Sequence, residues 1–165
     1  LDHGFTESDT EDCDHIIECT RLDMDFASIS FSSDAVKLLA MLVGTADLLA
    51  QMADRLYLEK LLLLYQEFQE AKINSFGSEL EMLNNTKTFY NNLVISRFAN
   101  EFSNVDRYER FHFKERFDID KELYREAIQA NLAYLDTILS RGEDGYRELL
   151  RRGGIVTGLG RRKRK

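Results

Sequence analysis

The sequence predicts an all-α fold, a single-domain array of about six helices, on three observations. Apolar residues recur with the 3.6-residue helical period through every long segment. Strand-like alternation never exceeds a few residues. The 165 residues include no Pro, so no helix is interrupted by one. The chain is long enough to bury one real core without disulfides or metals, and with 44% hydrophobic and 31% charged residues it has a globular rather than a disordered balance.

Thr6, with Asp9 three residues later, resembles a capping box ahead of a helix to about Arg21, with Cys13, Ile16, Ile17 and Thr20 as its apolar stripe. Residues 22–33 alternate briefly (Phe26, Ile29, Phe31) and read as an ordered loop. Ser33 and Asp34 start a long apolar helix to about Ala71, with a bend or break near Gly44 or around Asp54. It is apolar on most sides, so most of it is expected to be buried. Ser78 caps a third long helix to about Phe102, and Asn104 caps a shorter one through Phe117. Asp120 starts another, with Leu123, Ala127, Leu132, Leu135 and Leu139 near one stripe and Gly142 as its stop. A short helix spans about residues 144–151 and ends at Gly153-Gly154. The domain therefore covers residues 1–152, and 153–165 read as a flexible, Gly-rich and basic tail.

Charge and composition narrow the function classes. The net charge is −7; without the five basic residues at 161–165, 17 Lys+Arg face 29 Asp+Glu, a net of −12. Such a body is poorly suited to grip phosphodiester backbones, so nucleic acid is disfavoured as a partner. No window is read as apolar for long enough to cross a bilayer, so no membrane role is expected. The acidic N-terminus is unlike a signal peptide. Cys13 and Cys19 are too few for a disulfide framework; they read as buried thiols in a reducing, cytoplasmic setting. The run RRKRK reads as a solvated end.

Asp47 is the most informative residue, because apolar residues flank it on both sides. A carboxylate deep in an apolar helix costs several kcal/mol unless it is paired or metal-bound. Gln51, Asp54 and Arg55 follow four, seven and eight residues later, on the same helical face. An internal Asp–Arg pair is one reading of this strip; a metal ligand with polar neighbours is the other. Around His15, the residues Glu11, Asp12, Asp14 and Glu18 read as a solvated acidic face, since adjacent helical positions point about 100° apart. His3 and His112 are isolated surface positions, and Met41, Met52, Phe111, Phe113 and Phe117 read as core. No nucleophile elbow, P-loop or dinucleotide fingerprint occurs.

The stretch HIIECTRLDM, followed by KLLAMLVGTADLLAQMADRLYLEKLLLLYQEFQEA, resembles the C-terminal half of an HD-domain protein, from a superfamily of all-helical, metal-dependent phosphohydrolases. IIECT resembles the helix that lies between the family's His-Asp doublet and its last Asp, and Asp47 matches that last Asp. The resemblance implies an HD-like domain, a divalent metal ion with Asp47 as a ligand, and a nucleotide or other small phosphorylated substrate. Asp54 and Arg55 would then be supporting or substrate-facing residues. The 165 residues contain no His-Asp doublet, so three of the four expected ligands would lie upstream of Leu1. The chain alone is expected not to hold the metal or to turn over substrate. The alternative is a non-catalytic helical module that binds a partner or ligand. Homo-oligomers are compatible with both.

Overall fold

The computed structural model describes residue 4, residues 6–73 and residues 75–162, with side chains through 159. The positions of Asp2 and His3, and the side chains of the basic run 161–165, lie outside the described residues. Among the described residues all regular structure is helical and no strand occurs. The α-helices are α1 (Glu7–Glu18), α2 (Asp34–Ala53), α3 (Tyr57–Glu70), α4 (Glu79–Thr88), α5 (Ile95–Asn100), α6 (Glu109–Phe117), α7 (Leu123–Leu139), α8 (Gly142–Leu149) and α9 (Ile155–Arg162). These exceed the predicted six because the two longest predicted helices are subdivided and α9 forms within the predicted tail. The first breaks between Ala53 and Tyr57, as the sequence allows. The second continues from α4 to α5 through a wider π-helical stretch, Phe89–Val94.

Helix starts follow local chemistry. Thr6 and Asp9 form the reciprocal capping box of α1. The Ser33 hydroxyl accepts from the Val36 N–H, and that of Ser78 from Glu81. Other punctuation differs from the sequence reading. Asn104 is left-handed and its side chain makes no cap. The Asp120 carboxylate is engaged by Arg110, and α7 begins three residues later. Gly142, with φ +65°, opens α8 rather than simply stopping α7. Within the expected tail, a short turn through Gly154 leads into α9, where Val156 and Leu159 are buried.

The residues fall into two compact units. One comprises the chain up to Ala50 together with Asn92–Leu123. Its tightest point is Gly44 of α2: a Cβ there would stand 2.6 Å from Phe102 Cζ and 3.3 Å from the Cys19 carbonyl oxygen. Gly44 is thus where α2 admits both the end of α1 and the Phe102 ring. Arg97, buried, closes the same region by donating to the Cys19 and Arg21 carbonyls (3.0 Å each) while pairing with Glu101 at 2.8 Å. Phe26 packs edge-on against Phe102.

The other unit comprises Gln51–Asn91 and the chain from Tyr124 on. Here α3 packs against α4 and α9. Leu58, Leu62, Leu83, Leu135 and Ile138 are among its fully buried side chains. Glu79 of α4 is buried and bound by Arg147 (Nε to Oε2, 2.8 Å) and by the Tyr146 hydroxyl (2.7 Å), which fastens α8. Burial first, and then the bond to Glu79, raises the Tyr146 phenol above its ordinary value.

Several side chains lie where the sequence does not place them. Cys19 is buried but Cys13 is exposed, both unpaired, and α1 itself has no buried residue. Phe111 and Phe117, predicted as core, are 64% and 55% exposed on α6. α2 is much less buried than predicted: Leu38, Leu39, Leu42 and Val43 remain exposed. By length and hydropathy α2 also qualifies as a candidate membrane span, contrary to the sequence reading. Its other side is a core side, with Ala40, Leu48 and Leu49 buried.

Gly44→Ala is expected to lower stability by about 1–3 kcal/mol, because the new methyl group must displace Phe102. Thermal unfolding of the variant measures this; an unchanged midpoint would show that the Gly44–Phe102 approach is not a constraint.

Candidate functional site

The four residues of the predicted polar strip do not share one helical face. α2 ends at Ala53, so Asp54 and Arg55 lie beyond it, in the turn that leads to α3. Asp47 belongs to the first compact unit, and Gln51, Asp54 and Arg55 to the second.

Asp47 is half-buried, not enclosed. It borders the exposed face of α2, four and five residues on from Val43 and Leu42. Among the described residues no three His, Cys, Asp or Glu side chains converge in a way that could hold a metal ion. Among the described residues the donors around Asp47 therefore do not by themselves fit a divalent ion, since affinity needs several pre-placed ligands. In the acidic N-terminal cluster, Glu11 and Asp14 are exposed, as a solvated face requires, while His15 and Asp12 are half-buried. His112 is exposed, as predicted.

Asp54 has a local structural task. Its Oδ1 accepts the Leu56 N–H at 2.8 Å, and its Oδ2 pairs with Lys60. The Leu56 N–H first, and then Lys60, hold its carboxyl below the ordinary 3.8. The chain thus turns from α2 into α3 around this carboxylate.

Arg55 is exposed and lines a cleft within the second unit, together with Ala53, Ala127, Ala130, Asn131 and Arg152. The cleft has a volume of about 250 Å³. Asn131 is buried on α7, and its amide donates to the carbonyls of both Met52 and Asp54 at 2.9 Å. Arg152 reaches the same turn from the far end of the chain. Its Nη1 donates to the Arg55 carbonyl at 2.9 Å, and its guanidinium lies 4.4 Å from the centre of the Tyr134 ring. Its backbone N–H donates to Oε1 of Glu59 at 3.2 Å. Glu59 is fully buried, and its Oε2 has no hydrogen-bond partner among the described residues.

Of these residues the sequence singles out only Arg55. Two signals were available for the others. Asn131 is a polar residue inside the apolar stripe of α7, and Glu59 interrupts a run of leucines. Each marks a buried polar group that must find a partner. Nothing local marks Arg152 or Tyr134, which meet only through tertiary packing.

A family model described as Npun_R2479-like matches residues 4–110. The matched span includes Asp47, Asp54 and Arg55, and ends before Asn131, Tyr134 and Arg152. No curated protein and no solved structure matches the chain.

The Asp54 carboxyl has a lower pKa folded than unfolded, so its charge stabilises the fold above the unfolded value and ceases to do so as pH falls through the folded one. Asp54→Asn keeps an acceptor for Leu56 but loses the charge. It should therefore unfold at a lower temperature than the parent at pH 7, with the gap closing as pH drops below about 4. A gap of equal size at pH 3 and pH 7 would contradict this role.

Proposed function

This chain belongs to the Npun_R2479-like family, and we propose that it is a C-terminal portion of an HD-type, metal-dependent phosphohydrolase acting on a nucleotide or other phosphoester. In this reading Asp47 is one metal ligand, and the remaining ligands come from residues outside this sequence. The observation that carries the reading is the position of Asp47, a half-buried carboxylate bordering the uncovered apolar face made by Leu38, Leu39, Leu42 and Val43. A further helical segment laid on that face would bury the apolar side chains and bring new donors beside the carboxylate. The contact between the end of α1 and α2 adds support. Cys19 of the IIECT stretch and Gly44 of the GTADLLAQM stretch, the two pieces that carry the HD resemblance, meet directly.

In this reading the described residues supply one ligand, and the metal-bound water and the rest of the coordination shell belong with the remaining ligands. The unpaired cysteines accord with a reducing, cytoplasmic setting. The same uncovered face also favours a second reading, a non-catalytic helical module whose partner covers α2.

Two measurements separate these readings. The purified 165-residue chain, supplied with Mg²⁺ or Mn²⁺, should hydrolyse p-nitrophenyl phosphate at no more than the background rate; robust turnover would mean that its own residues complete the site. In the natural full-length protein, Asp47→Ala should abolish metal binding and turnover while changing stability by no more than about 1 kcal/mol, as suits a half-buried position. Unchanged metal affinity would defeat the ligand assignment and leave the module reading in place.

A further inference from the structure

In a chain with a net charge of −7, the cleft of the second unit is lined by two arginines and by no carboxylate. The nearest acid in sequence, Asp54, is already engaged by the Leu56 N–H and by Lys60. Among the described residues Arg55 makes no ion pair through its guanidinium, and neither does Arg152, whose protein acceptors are reached by Nη1 alone. Two arginines therefore line one cleft whose lining holds no acid, and the one carboxylate that reaches Arg152, that of Glu59, is bound at its backbone N–H. Two cations at one cleft favour an anion there.

The two arginines differ in a way that suits capture. Arg152 is pre-positioned: its guanidinium is stacked on Tyr134, and its Nη1 is tied to the Arg55 carbonyl. The N–H groups at Nε and Nη2 are left to receive oxygen atoms. Arg55 is exposed and can swing onto a ligand. The rest of the lining is small and apolar (Ala53, Ala127, Ala130), with the Asn131 amide already donated to backbone carbonyls.

We propose that this cleft is a binding site for a small organic phosphate monoester. The phosphate group would be held between Arg55 and Arg152, and the organic part would lie over the three alanines. Two arginines match a dianion better than a carboxylate, and their forked donors suit its several oxygens. A volume of about 250 Å³ suits a small ligand. The site is built from the second unit alone, so it stands whether or not Asp47 ligates a metal.

Titration calorimetry of the 165-residue chain in a zwitterionic, low-salt buffer tests the site, with phenyl phosphate, inorganic phosphate and benzoate as probes. Phenyl phosphate should bind saturably with one site per chain, and both inorganic phosphate and benzoate more weakly. Arg55→Gln alters an exposed side chain, so it should fold normally and lose at least tenfold in affinity. Arg152→Lys keeps the charge but not the fork and should also bind more weakly. Arg141→Gln, an exposed arginine that does not line the cleft, should bind as the parent does. No saturable binding of phenyl phosphate, or equal affinity in Arg55→Gln, would overturn the site. Benzoate binding as tightly as phenyl phosphate would overturn the assignment to phosphate.

Discussion

A helix leaves its last carbonyls without intrahelical donors, and a nearly all-helical chain with no proline must settle that debt of hydrogen bonds at every interruption. Here long polar side chains supply the missing donors. Arg97 reaches the Cys19 and Arg21 carbonyls just past α1. Asn131 takes those of Met52 and Asp54, where α2 gives way to α3. Arg152 takes the carbonyl of Arg55, and the Tyr134 hydroxyl takes that of Leu149 at the end of α8. All four donors come from a different helix or turn. Each therefore decides at once where a helix stops and what packs beside it.

In the first unit this constraint is coupled to a steric one. Arg97 can hold the α1 end only if that end lies close to α2, and it does so because Gly44 has no side chain. The same approach lets Phe102 fill the space over Gly44, with Phe26 against its edge. One side of α2 is thereby committed to the core. The other side, with Leu38, Leu39, Leu42 and Val43, has no such partner in the unit. Asp47 lies at the boundary between the two sides.

The same physics decides which features the sequence makes legible. Helix starts at Glu7, Asp34 and Glu79 were legible because their caps are local: Thr6, Ser33 and Ser78 bond to residues three positions away. Helix ends were less legible because their partners are distant. Arg97 lies 78 residues from Cys19, and Asn131 lies 79 from Met52. The break near Asp54 was visible as a polar interruption, but its consequence was not: ending the helix at Ala53 removes the register that would align Asp54 and Arg55 with Asp47. Exposure was the least legible property. Periodicity identifies the apolar stripes of α2 and α6 but cannot say whether anything lies against them, and for Leu39 and Phe111 nothing in their own unit does so fully.

The cleft is a consequence of how the α2–α3 turn is secured. Arg152 must approach the turn to bond the Arg55 carbonyl, and in doing so it brings a cation to the cleft that Arg55 also lines. The Glu59 carboxylate is directed at the Arg152 backbone N–H, so the helix-end bond is obtained without placing an acid in the cleft lining. An anion held by both arginines would tie the same turn a second time, from outside. Its binding free energy would then add to the stability of the turn, by RT ln(1 + [L]/Kd) for a ligand that binds only the folded chain. Ligand capture and the α2–α3 junction are thus linked through one residue, Arg152, and occupancy of the cleft should protect the Asn131-to-Met52 and Asn131-to-Asp54 bonds by holding the junction closed.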